Sequence, residues 1–128
     1  MASRTLHNVM PLELIKFVVK FMGISMDDFG GRSRKQSIVI ARVLVTYCLL
    51  YVGISNTMIG KIILKKHCSV THYKKLIFDD ALVQRKIWEF GEFLSDRDIL
   101  LPSLESWSDV MSGRYGYDGV IRQYTKNN

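Results

Sequence analysis

Between Phe29 and Phe78 the chain holds no Asp or Glu, and this absence says more about it than any residue it contains. The same stretch carries nine Lys or Arg (Arg32, Arg34, Lys35, Arg42, Lys61, Lys65, Lys66, Lys74 and Lys75), and the remaining positions hold nine basic and twelve acidic side chains. A middle of +9 therefore stands between flanks of −3, within an overall charge of +6. Scattered surface charge mixes signs, whereas a block of one sign makes a field that attracts a polyanion. The alternative reading is a solvated basic face with no partner.

Other scarcities narrow the class. Only two cysteines occur, Cys48 and Cys68, on different predicted helices, one turned inward and one outward. They point to a reducing compartment, and 128 residues can bury a core in one domain without staples. The first ten residues lack an apolar run of signal-peptide length, and no segment nears the roughly 18 apolar residues of a membrane span. A cytoplasmic protein with no membrane contact is expected. Internal repeats, low-complexity tracts and two-residue alternation are all missing, so the prediction is an all-α domain of five to seven helices.

After a loose N-terminus, Pro11 fits the first turn of a helix running to about Met22. Glu13, Lys16 and Lys20 form its wet stripe, with Leu12, Ile15, Val19 and Met22 inward, and Gly23 stops it. Ser25 with Asp28 reads as a capping-box-like start of one short turn ended by Gly30-Gly31. A basic loop follows, Arg32 to Lys35. The next helix begins between Ser33 and Ser37 and continues to about Val52; its apolar surface is broad enough to make it the central one. A further helix, opened by Asp79 or Asp80, repeats Val83, Ile87, Phe90 and Leu94 and ends at Ser95-Asp96. Beyond Arg97 the expectations are a short helix from Pro102-Ser103 to about Met111, carrying Trp107, then a Gly and Tyr-rich loop and frayed last residues.

Between these lies the stretch with most functional content, Gly53 to Lys75, which reads as a helix-turn-helix. Ser55 caps a short helix that turns Ile59, Ile62 and Ile63 inward, and Lys65-Lys66 form a basic turn. A second helix starts near His67, with Val70, Tyr73 and Ile77 on one face at about 100° per residue. Its other face shows Cys68, Thr71, His72 and Lys75, with His67 and Ser69 near its start. Small hydrogen-bonding groups ending in a cation suit a helix laid along a DNA groove.

Read as a string, residues 9 to 94 resemble the DNA-binding domain of the bacterial replication initiator DnaA. The likeness rests on Gly23-Ile24-Ser25 with Asp27-Asp28, on Ser33-Arg34-Lys35 and Ala41-Arg42, on Ile54-Ser55 followed by Ile59-Gly60, and on His67-Cys68-Ser69-Val70 with His72. By that resemblance Arg34 reaches a minor groove, His67 and Cys68 face base edges in the major groove, and Ser69, His72 and Arg42 bind phosphates. Arg32, Lys35, Ser55, Lys65, Lys66, Thr71 and Lys75 complete the expected DNA-binding set. Two departures alter what the resemblance implies. Lys66 stands where the family has an acid before the His, and Cys68 where it usually has Ser or Thr, so more phosphate affinity and an altered or lower sequence specificity are expected. With about ten residues ahead of the first helix, no preceding ATPase domain is expected.

Other chemistries find little support in the sequence. Gly53 to Gly60-Lys61 has six intervening residues, not four, and is followed by Ile62, so it is no phosphate-binding loop. His67 and His72 are about 140° apart on a helix, and Cys68 with His72 has no third orienting group, so neither a metal nor a nucleophile pair is expected. Asp79-Asp80 and Asp96 with Asp98 read as helix caps rather than nuclease carboxylates.

The sequence thus describes a compact helical bundle with a helix-turn-helix over residues 1–96, and a C-terminal extension over 97–128 that packs on it or is partly flexible. The expected protein is non-enzymatic, without cofactor or metal, and binds double-stranded DNA. It is a stand-alone, nucleoid-associated regulator or accessory factor of replication or transcription, with a phage or mobile-element origin open. A homodimer or protein partner through the C-terminal segment is also open. The alternative is a protein-interaction module that keeps the fold but has lost sequence-specific reading.

Overall fold

The computed structural model describes residues 4–101. Its centre is set by the run Ile38 to Leu50, in which Arg42, Thr46 and the Tyr47 hydroxyl are the only polar side-chain groups apart from the Cys48 thiol. Such a run has no wet face, and the helix it forms, α3 (Gln36–Tyr51), is buried on every side from Ile40 to Leu50. Thr46 satisfies its hydroxyl internally, donating to the Arg42 carbonyl at 2.9 Å. Burial pushes the Cys48 thiol well above its usual range, so it stays a neutral core side chain.

The other helices lie around α3. Helix α1 (Pro11–Met22) begins at its proline and ends at Gly23, whose φ of 68° is the left-handed conformation a side chain would oppose. Its buried face is Leu14, Ile15, Val18 and Val19; Leu12, expected inward, is 57% exposed, and Met22 is half-buried. The polar stripe explains the difference. Directly opposite Glu13, Lys16 and Lys20 lies Val18, whereas Leu12 falls only about 40° from Lys16. Helix α2 (Met26–Gly30) is one short turn capped by Ser25, whose Oγ accepts from the Asp28 N–H at 3.0 Å.

Helix α4 (Asn56–Ile63) is capped in the same way, Ser55 Oγ accepting from the Met58 N–H at 3.2 Å. Ile59 and Ile63 are fully buried, each contributing on the order of 1.5–3 kcal/mol to holding α4 in place; Ile62 is half-buried. The chain reverses at Leu64, a non-glycine residue at φ 60°, and enters α5 (His67–Asp79). The turn passes so close to α4 that a Cβ on Gly60 would stand 2.6 Å from the Lys65 carbonyl oxygen, so only glycine fits there. On α5 the buried residues are Val70, Tyr73 and Ile77, as their spacing predicts.

Asp80 ends α5 and opens α6 (Ala81–Ser95), its Oδ1 accepting from Leu82 N–H at 2.9 Å and Val83 N–H at 3.1 Å. The buried stripe of α6 is Val83, Ile87, Phe90 and Leu94. Phe21 of α1 packs on Phe90 and Phe93 of α6, with ring centroids 5.3 and 5.4 Å apart. The all-α expectation holds, with six α-helices among the described residues.

From Arg4 onward the segment ahead of α1 is tied down rather than loose. Arg4–Thr5 (β1) pairs in parallel with Ile99–Leu100 (β2), and the Arg4 guanidinium forks onto the Glu13 carboxylate at 2.8 and 3.1 Å. Ile99 within this strap, and Leu6 and Val9 just after it, are buried. Strands of two residues carry no alternation to read, which is why the pairing is invisible in the sequence. The helix expected from Pro102 to Met111, Trp107, the Gly and Tyr-rich loop and the last residues lie outside the described part.

Candidate nucleic-acid interface

Loop 31–35 and the start of α5 are far apart in sequence, and α3 brings them together. Arg42, on the first half of α3, is only 3% exposed, and its guanidinium donates to four main-chain carbonyls. Nε donates to Phe29 O at 2.9 Å, Nη1 to Ser33 O at 2.8 Å, and Nη2 to Asp28 O at 3.2 Å and Gly31 O at 2.8 Å. A planar fork of fixed donors suits such an array in a way a lysine ammonium does not. It satisfies carbonyls at the C-terminal end of α2, where the helix dipole favours a cation, and sets the path of the loop that follows.

From the other side the helix-turn-helix reaches the same loop. Lys65, half-buried in the turn between α4 and α5, donates Nζ to Gly31 O at 2.6 Å. Desolvation, then the nearby charges of Arg42 and Arg32, hold its ammonium below the usual lysine range. Ser33 adds a local bond, its Oγ accepting from Lys35 N–H at 3.2 Å.

Between loop and helix runs a groove of about 690 Å³ lined by Arg32, Ser33 and Arg34 from the loop, Lys65 from the turn, and Cys68, Ser69 and His72 from α5, with Val39, Arg42 and Tyr73 behind them. Four of these are basic and none is acidic. Arg32, Arg34, Cys68 and His72 are exposed and Ser69 is half-buried. The other predicted site residues, Lys35, Ser55, Lys66, His67, Thr71 and Lys75, are exposed and do not line the groove. Ser55 Oγ serves as the α4 cap, and the Thr71 hydroxyl donates to the His67 carbonyl at 3.2 Å. Cys68, His72 and Lys75 follow one another at i, i+4 and i+7 along α5.

The start of α5 has no side-chain cap, and neither do those of α1, at Met10, and α3, at Lys35. Lys66 occupies the N-cap position in an extended conformation and gives no side-chain hydrogen bond to the helix, unlike Ser25, Ser55 and Asp80 at the starts of α2, α4 and α6. The positive end of the α5 dipole and the Lys66 ammonium therefore stand together at the edge of a cationic groove. The site members missed by the sequence reading are Ser33, whose position between two arginines was a usable signal, and the Gly31 carbonyl, for which residue type gives no signal.

Among the described residues no three His, Cys, Asp or Glu side chains gather in a way that could hold a metal ion. No helix there is long and apolar enough to cross a membrane. No curated protein and no solved structure matched the chain in comparison. A family model described as the bacterial DnaA protein helix-turn-helix does match, over residues 11–77, from the first turn of α1 to the last buried residue of α5. That match spans just over half of the 128 residues and contains both the loop and the helix that form the groove. The chain belongs to the bacterial DnaA helix-turn-helix family, which implies double-stranded DNA as its ligand.

Proposed function

We propose that this protein is a non-enzymatic, nucleoid-associated binder of double-stranded DNA that regulates or assists replication or transcription. In this reading α5 lies in the major groove and Arg34 on loop 31–35 reaches the neighbouring minor groove. Arg32, Lys35, Lys66 and Lys75 meet phosphates, His67, Cys68 and Thr71 face base edges, and Ser69 and His72 hold the backbone beside them. Arg42 acts through the loop it fixes, because its guanidinium is already engaged by four carbonyls.

The observation that carries the proposal is the cationic groove shared by the loop and α5, which has no carboxylate among its described lining residues. Lys66 and Cys68 further favour phosphate affinity over sequence reading. A cation before His67 cannot accept from a base amino group, and a thiol is a weaker hydrogen-bonding partner than a hydroxyl.

Retention of duplexes from a random pool tests both levels. Duplex recovered above an equal charge of heparin competitor, with weak enrichment of any motif, is the expected result. Failure to retain duplex at low salt refutes DNA binding, and strong enrichment of one motif refutes the general-binder reading. The competing reading is a protein-interaction module, for which the 64% exposed Trp88 on α6 is the favouring observation; it predicts no duplex retention.

A further inference from the structure

The two halves of the groove meet on Gly31 O. It receives Arg42 Nη2 at 2.8 Å from α3 and Lys65 Nζ at 2.6 Å from the helix-turn-helix. We propose that Arg42 and Lys65 form a clamp on Gly31 that locks loop 31–35 to the start of α5, so that the minor-groove arm and the recognition helix engage DNA as one preset unit. The proposal rests on the DNA-binding reading above and assigns Lys65 a positioning role in it.

Arg42 is buried and holds carbonyls on both sides of Gly31, so the loop's inner edge is fixed from α3. Lys65 is 34 residues from Gly31, and its bond spans the two elements that line the groove. Gly60 sets where Lys65 begins, because the turn carrying it can approach α4 only where no side chain intervenes. A loop held in this way loses less conformational freedom on binding than a free arm, and the saving appears as affinity. It also means that Arg34 contributes fully only while the clamp is closed.

The test uses the full chain and two readouts. In limited trypsin digestion without DNA, followed by mass spectrometry, the bonds after Arg32, Arg34 and Lys35 should be cut about tenfold faster in Lys65→Met than in wild type, while the bond after Arg85 within α6 is unchanged. Lys65→Arg, which keeps a charged donor, should restore slow cutting. In duplex binding, the fold-loss caused by Arg34→Ala should shrink at least about threefold in the Lys65→Met background, whereas the loss from Lys75→Ala should be the same in both. Loop bonds cut at the wild-type rate, or an Arg34→Ala effect equal in both backgrounds, would overturn the clamp. If the wild-type chain binds no duplex, the DNA reading falls, and the digestion alone decides whether Lys65 holds the loop.

Discussion

Replacing Lys66 by Asp should move stability and DNA affinity in opposite directions. Lys66 sits at φ −71°, ψ 155°, the extended conformation an N-cap residue adopts, so Asp needs no backbone change to cap α5. The Ser69 N–H already donates to the Lys66 carbonyl at 3.0 Å, which leaves the Cys68 N–H as the natural partner for the new carboxylate. A cap contributes about 1 kcal/mol, and exchanging a cation for an anion at the positive end of the dipole about 0.5 kcal/mol more. For a domain of this size that corresponds to a rise in Tm of roughly 6 °C by thermal denaturation. On a duplex of arbitrary sequence the same change removes one phosphate contact and adds a repulsion, so affinity near physiological salt should fall about tenfold, with a shallower salt slope. A lower Tm would show that the start of α5 is not short of an acceptor. An unchanged affinity would show that Lys66 does not face phosphate.

Other perturbations test separate parts of the fold. Gly60→Ala should destabilise by about 2–3 kcal/mol in urea denaturation, because the new Cβ meets main chain at 2.6 Å; Gly91→Ala, whose Cβ would make ordinary contact with the Leu101 side chain at 3.5 and 3.9 Å, should be neutral or stabilising. Leu64→Gly should stabilise by up to about 1 kcal/mol, by relieving a left-handed leucine whose side chain is 72% exposed. Glu13→Gln should weaken the N-terminal strap in a pH-dependent way. The hydrogen bond from Arg4 holds the Glu13 carboxyl below its ordinary value of 4.5, so its stabilisation is present above that value and lost as pH falls through the lowered one. The stability difference between wild type and Glu13→Gln should therefore be measurable at neutral pH and vanish in acid.

Most of the fold was legible because several independent signals agreed at each helix. Ser25, Ser55 and Asp80 announce starts by side-chain chemistry, and Gly23 announces an end. The buried stripes of α5 and α6 follow from period alone, since few apolar residues compete for the inward face. Helix α1 was read less well because eight of its residues are large and apolar, and there the polar stripe locates the core more reliably than any apolar series. The strap of β1 and β2 depends on main-chain bonds between distant dipeptides, to which side-chain patterns are blind. At the site, the sequence supplied the cations but not their division of labour. Arg42 looks like any other basic residue in the acid-free block, yet burial and four carbonyl acceptors make it part of the framework. The same limit hid the Gly31 carbonyl, the point on which loop and turn converge.

The central claim is that the cationic groove is built for the phosphate backbone of duplex DNA, and the salt dependence of duplex binding tests it most directly. Five exposed cations, Arg32 and Arg34 in the groove lining and Lys35, Lys66 and Lys75 outside it, belong to the proposed DNA-binding set. If each displaces a counterion, log K falls against log salt with a slope of about −4.5, or roughly 500-fold between 50 and 200 mM monovalent salt. Arg34→Ala and Lys75→Ala should each make that slope shallower by about 0.9. A slope near zero, or no duplex binding at 50 mM salt, would contradict the account.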